Sequence, residues 1–137
     1  MHPSCIFCKI VAGESPSYNI YEDDETLALL NIHPVNRGHV LVIPKAHHAD
    51  LYETPKDVFA KVMDTVHLIA PKLKRALNAD GINVGINTEE AAGQIIFHLH
   101  VHVIPRFEGD GHKHWHGNLY QDGDIKTIGD IISQEFK

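Results

Sequence analysis

Two short stretches hold the side chains with most chemical potential. HLHVHVIPR (98–106) spaces His98, His100 and His102 two residues apart, with an apolar residue in each gap. Successive side chains of a β-strand point to opposite faces, so the spacing predicts a strand with three imidazoles in a row. Leu99, Val101 and Val103 then face a core, and Pro105, which has no N–H for a ladder, is expected to end the run. In the second stretch, CIFC, Cys5 and Cys8 are the only cysteines and stand in a C-x-x-C arrangement. In a short secreted chain that spacing suggests a disulfide, and in a cytosolic one a metal site or a redox pair. The redox option calls for a strand–CxxC–helix context inside a βαβ unit, which the N-terminus does not have.

Two chemistries compete for the histidine row. Three imidazoles can hold zinc with an open position. Residues i, i+2 and i+4 of one strand lie in a line, however, with the outer Cα atoms ~13 Å apart, which is awkward for ligands converging on one ion. A line suits an extended substrate better, with one neutral imidazole attacking while a neighbour donates a proton.

The elements that must position these residues follow from the rest of the pattern. The 137 residues, 43% hydrophobic and 22% charged, are one domain's worth of ordinary globular sequence. The formal charge of −6 provides no basic field for a nucleic-acid polymer. No apolar run approaches a membrane span, and the N-terminus lacks the features of a secretory signal, so the expected location is cytoplasmic. Residues 5–12 read as a short helix. Strands are expected at 18–21 and 26–32, joined by the acidic turn 22–25, and at 39–43. Thr54 and Pro55 predict a helix start, by an N-cap hydroxyl and a proline in the first helical position. Val58, Phe59, Val62, Val66, Ile69, Leu73 and Leu77 mark one helical face, and Pro71 should kink or split that helix. A fourth strand is expected at 82–87, and the histidine run with its lead-in makes the fifth. Residues 109–124 read as loop, with His112, His114 and His116 among the surface members of the twelve histidines. A short terminal helix follows at 124–136, with Ile125, Ile128, Ile131 and Ile132 on one side. Strands joined by short turns with one main helix predict an α+β domain built on a five-stranded antiparallel sheet.

Together, H-x-H-x-H after AGQ (92–94), with IFCKIVAGESPS, YEDDETLALLNIHPVNRGHVLVIPK and GINVGINTEEAAGQ upstream, resembles the histidine triad (HIT) family of nucleotide hydrolases and transferases. The resemblance covers about residues 4–107 and implies one HIT domain over 1–137, with 108–137 as loop and extension. It implies His100 as the nucleophile toward the α-phosphate of a purine nucleotide conjugate, such as a nucleoside phosphoramidate, by way of a nucleotidyl-histidine. His102 matches the leaving-group position, as general acid or electrostatic stabiliser, and His98 and His39 match supporting positions. Asn87, Gly93 and Gln94 match the phosphate-binding lead-in, Asn31 the ribose contact, and Ile6, Phe7, Ile10, Leu29 and Ile32 the apolar slot for the base. Ile95 departs from the pattern, since relatives commonly carry Ser or Thr there. The resemblance further implies a structural zinc held by Cys5, Cys8, His47 and His98, with His48 an alternative to His47, and a homodimer formed through the helix and an edge strand. Two other functions remain open: dinucleoside polyphosphate cleavage, and nucleotide binding with little catalysis.

Overall fold

The structure, a computed structural model, describes residues 2–137. Its elements in chain order are α1 (Ile6–Val11), β1 (Asn19–Glu22), β2 (Thr26–Leu30), β3 (Val40–Pro44), α2 (Lys56–Leu77), β4 (Gly81–Gly85), β5 (Val101–Arg106) and α3 (Asp124–Gln134). A 3₁₀ turn at Glu90–Ala92 lies between β4 and β5. The five strands form one sheet in the order β1-β2-β3-β5-β4, and every neighbouring pair is antiparallel. This is the expected α+β architecture.

Strand alternation divides the apolar side chains between two layers. Ala28, Val40, Val42, Leu99, Val101 and Val103 meet Val62, Val66, Ile69 and Leu73 of α2 on one face. Leu27, Leu29, Leu41 and Ile43 point the other way and pack with Cys5, Phe7 and Cys8 of the α1 region. Burial on both faces explains why TLALL and VLVIP read as continuous apolar runs rather than alternating ones. The α2 layer has ten buried members and the α1 layer seven. At about 1.5–3 kcal/mol per buried aliphatic side chain, most of the hydrophobic stabilisation lies on the α2 side.

Several local expectations change. Pro55 is the N-cap of α2 rather than its first residue, and the Thr54 hydroxyl donates to the Asp50 carbonyl (2.6 Å) instead of capping the helix. Pro71 does not split α2, which is one helix through Leu77. Pro71 and His67 are both exposed, so the His67 carbonyl that loses its helical partner meets water. Asn78, in the left-handed region at φ 52°, ends the helix.

The largest change concerns the histidine row. The ladder of β5 begins at Val101, so only His102 of the three lies on the strand. Pro105 does not end the run either, since it pairs with Ile82 inside the β4–β5 ladder. The β3 pairing stops at Val103, and the Pro105 carbonyl accepts instead from Asn36 Nδ2 (2.9 Å). On that side β5 behaves as an edge, where proline is tolerated.

Candidate active site

His98, at a bend, and His100 lie just ahead of β5, against Phe7 of α1. His98 is fully buried and His100 nearly so. Phe7 fixes both rings edge-on, with centroids 5.7 Å from His98 and 5.3 Å from His100. The alternation read from sequence survives on the other face, where Leu99, Val101 and Val103 are buried in the α2 core.

The partners of each ring determine which nitrogen carries a proton, because a carbonyl can only accept. His100 Nδ1–H donates to the His98 carbonyl at 2.8 Å, which leaves a lone pair on Nε2. His98 Nε2–H donates to the Pro44 carbonyl at 2.8 Å, which leaves a lone pair on Nδ1. The Val35 N–H donates to His39 Nδ1 (3.0 Å), so His39 must carry its proton on Nε2. That N–H then donates to His102 Nδ1 (2.9 Å), and His102 keeps an N–H on Nε2. The row therefore offers a bare nitrogen at His100 and a donor at His102, with the two ring centroids 5.1 Å apart.

Burial also determines protonation. Loss of hydration holds all four rings below the ordinary histidine pKa, His98 and His102 at about 4. Proximity to His100 lowers His39 and His102 further. At neutral pH these rings are neutral, the state a nucleophilic imidazole requires.

The sequence pointed to neither the carbonyls nor the amide that orient these rings, because main-chain partners carry no residue signature. It also missed the clamp that joins the His39 loop to the end of β5. The Arg106 guanidinium forks onto Asp110 (2.8 and 3.0 Å). Asn36 Nδ2 donates to the same carboxylate at 2.9 Å. The guanidinium beside it holds the Asp110 carboxyl well below the usual carboxylate range.

The remaining candidates separate into groups. Asn87 lies beside Gly93: a Cβ built on Gly93, whose φ is +95°, would approach the Asn87 amide to 3.5 Å. A cavity of about 220 Å³ connects Asn87 with His39, His102, Val35 and Gly85. Gln94 is buried with its amide fully engaged, accepting from Glu89 N–H and donating to the Ala49 and Ile96 carbonyls. It shapes the lead-in loop and has no free donor. Asn31 follows β2, and its Oδ1 accepts from the His33 N–H (2.9 Å), which leaves its NH₂ group available. Phe7, Leu29 and Ile10 pack in the α1 layer. Ile6 and Ile32, the latter 84% exposed, stay outside it, and Ile95 is 87% exposed.

Cys5, Cys8, His47 and His98 converge, with their ligand atoms all within 4.8 Å of one another. Cys8 Sγ lies 3.3 Å from His47 Nδ1, Cys5 Sγ 3.4 Å from His98 Nδ1, and the two Nδ1 atoms 3.2 Å apart. A tetrahedral site with bonds of zinc length has edges of about 3.3–3.8 Å, so four donors at this spacing fit a small metal ion. His98 Nδ1 has no proton to give, and burial pushes the Cys5 thiol up as long as no cation is near. His47 rather than His48 belongs to the set, since its Nδ1 is the one that meets the cysteines, while the His48 carbonyl accepts from Leu99 N–H (2.7 Å).

Comparison with known proteins places these features in a family. A family model described as HIT domain matches residues 12–109. The adenylylsulfatase HINT3 of Arabidopsis thaliana is 47% identical over 106 residues, which cover 77% of this chain and 54% of that protein. The chain thus spans about half the length of that relative. The crystal structure of SMU.412c from Streptococcus mutans superposes with a TM-score of 0.94 at 38% identity, covering 100% of this chain and 88% of that one. A Zn-bound histidine triad family protein from Mycobacterium smegmatis has a TM-score of 0.76 at 42% identity, covering 94% and 90%. By fold and by sequence, the chain belongs to the histidine triad family of nucleotide-binding proteins and hydrolases.

Proposed function

We infer that the protein hydrolyses purine nucleoside phosphoramidates or related nucleotidyl conjugates at the α-phosphorus, with His100 as nucleophile. The observation that carries this reading is the His100 Nδ1–H bond to the His98 carbonyl, which keeps Nε2 unprotonated in a neutral ring. Nε2 attacks the α-phosphorus and the bond to the leaving amine breaks, with water supplying the amine's proton. His102 Nε2–H acts as a hydrogen-bond donor to the departing group, since a ring held neutral by burial stabilises charge better than it gives up a proton. Water then attacks the nucleotidyl-histidine, the P–N bond breaks, and the nucleoside monophosphate leaves with the proton balance restored. Asn31 binds the ribose hydroxyls, Asn87 and the Gly93 main chain the phosphate, and the apolar side chains near α1 the base. His98, His39 and Gln94 position these groups.

Zinc is the metal we assign to the four-ligand cluster, in a structural role. Two thiolates and two imidazoles suit it, and the M. smegmatis relative binds zinc. It would tie α1 to the chain ahead of β5 and take no part in the reaction. A homodimer through α2 and an edge strand, located in the cytoplasm, completes this reading.

Turnover of adenosine phosphoramidate, diadenosine triphosphate and adenylyl sulfate by wild type and His100→Ala tests it. Phosphoramidate should be cleaved fastest by wild type, and His100→Ala should lose about 10⁴-fold or more while still binding the monophosphate. Faster cleavage of the dinucleotide moves the protein to the polyphosphate branch, and faster cleavage of adenylyl sulfate to the activity of the Arabidopsis relative. Exposed Ile95 favours a second reading, nucleotide binding with little catalysis, because an aliphatic side chain there gives a leaving group no hydrogen bond. Tight monophosphate binding without turnover of any of the three would select it.

A further inference from the structure

The donor on His102 depends on a relay that starts in a loop. His102 Nδ1 accepts from His39 Nε2–H only while the Val35 N–H occupies His39 Nδ1. If Val35 moves away, His39 is free to carry its proton on Nδ1, and its Nε2 becomes an acceptor. His102 then turns its own proton onto Nδ1 to meet that acceptor. Its Nε2 is left bare, and a departing group loses its donor.

Packing does not hold the Val35 N–H in place, because residues 32–35 are exposed. The turn after β5 holds it from outside. Asn36 Nδ2 donates to the Pro105 carbonyl and to Asp110 Oδ2, both at 2.9 Å. His112 Nε2–H donates to the Val35 carbonyl at 3.0 Å. Both arms lead back to Asp110, whose side chain is 8% exposed. Besides Asn36, its carboxylate accepts from Arg106 Nε and Nη2 (2.8 and 3.0 Å) and from the Phe107 and His112 N–H groups (3.2 and 3.0 Å). Arg106 Nη2 also donates to the His112 carbonyl at 2.8 Å. Charge-assisted bonds of this kind are short and directional, so they define a geometry as well as a contact. A cluster that served only its own turn would need the bonds among Arg106, Phe107, Asp110 and His112. The Asn36 and Val35 arms instead cross to the loop that carries His39.

We propose that Asp110 is a positioning residue for leaving-group departure: by holding Asn36 and His112, and through them Val35, it keeps His39 Nε2–H on His102 Nδ1 and His102 Nε2–H available as a donor. This inference rests on the displacement at the α-phosphorus set out above. Asp110, Arg106 and Asn36 are not among the described residues lining the cavity beside His39 and His102, so they act through the relay rather than on substrate. No bond forms or breaks at Asp110. Its influence depends on how much the leaving group needs a donor. An alkylamine needs one, whereas a p-nitrophenolate spreads its charge over the ring and needs little.

The test measures kcat/KM, which reports the first displacement, for an N-alkyl adenosine phosphoramidate and for the p-nitrophenyl ester of AMP. Wild type, Asp110→Ala and Asn36→Ala are compared. One donor at a developing charge is worth about 10²–10³ in rate, so both variants should lose about tenfold or more on the phosphoramidate and less than about threefold on the ester. Asn36→Ala leaves the Arg106–Asp110 pair in place and keeps the test valid if Asp110→Ala fails to fold. Histidine nitrogen NMR of the full chain reads the relay without substrate: His102 should be protonated on Nε2 in wild type and lose that preference in both variants. Equal losses on the two substrates are what a merely structural role gives, and they overturn the proposal. No loss on either substrate, or an unchanged His102 tautomer, overturns it as well. A wild type that cleaves neither substrate defeats the underlying displacement instead, and the spectra then decide on the relay alone.

Discussion

Each ring of the triad is directed by a different main-chain group, so one side-chain type takes three roles. The His98 carbonyl leaves His100 Nε2 bare, the Pro44 carbonyl leaves His98 Nδ1 bare, and the Val35 N–H, acting through His39, leaves a donor on His102. The same burial that keeps the rings neutral has a consequence for stability. In the unfolded chain they titrate near 6.5, whereas in the folded protein His98 and His102 titrate at about 4. Above pH 6.5 both states are neutral and the histidines have no effect. As pH falls from 6.5 toward 4 the unfolded state takes up protons that the folded state refuses, so stability declines across that window and levels off below it. In chelator, where metal loss cannot contribute, the urea midpoint should fall through this range. The decline should be shallower in His102→Asn, by at most about 1.4 kcal/mol per pH unit. A pH dependence identical to wild type would mean that His102 takes up its proton as readily in the fold as in the unfolded chain.

The positions of these residues depend on a few element ends. Gly38 precedes β3 at φ +89°, and a Cβ there would collide with the Leu77 side chain at the end of α2 and come within 3.4 Å of Pro105. Gly38→Ala therefore combines backbone strain with a forced shift of Leu77 next to His39. It should cost about 1–3 kcal/mol and lower kcat more than it raises KM, as seen by paired denaturation and steady-state assays. Element boundaries were the least legible part of the sequence. HLHVHV alternates throughout, yet β3 pairs with β5 only as far as Val101, and α1 covers the histidine side ahead of it. Thr54 and Pro55 have the composition of a helix start, but the Thr54 hydroxyl found the Asp50 carbonyl first. Pro71 was tolerated because the carbonyl it strands faces water.

For the whole molecule the question is what joins the two layers. The α1 layer is smaller, and the four-ligand cluster ties it to the histidine segment through Cys5, Cys8, His47 and His98. Chelation, or Cys8→Ser, should lower the melting temperature and abolish stoichiometric zinc. Activity at room temperature should decay in step with unfolding rather than at once, because a structural ion is not used in turnover. Immediate loss of activity in a protein that is still folded would move the metal into the reaction. The clamp of Arg106, Asp110 and Asn36 has the corresponding role for the His39 loop at the far end of β5.

From sequence alone came the architecture, the inward face of Leu99, Val101 and Val103 and the family resemblance, because residue type and period are local properties. Assigning a proton to one nitrogen of each ring required tertiary structure, since the groups responsible are carbonyls and amides that every residue possesses. So did the choice of His47 over His48, neighbours in the chain with the same side chain. Only the path of the backbone brings one imidazole to the cysteines and turns the other residue's carbonyl toward Leu99.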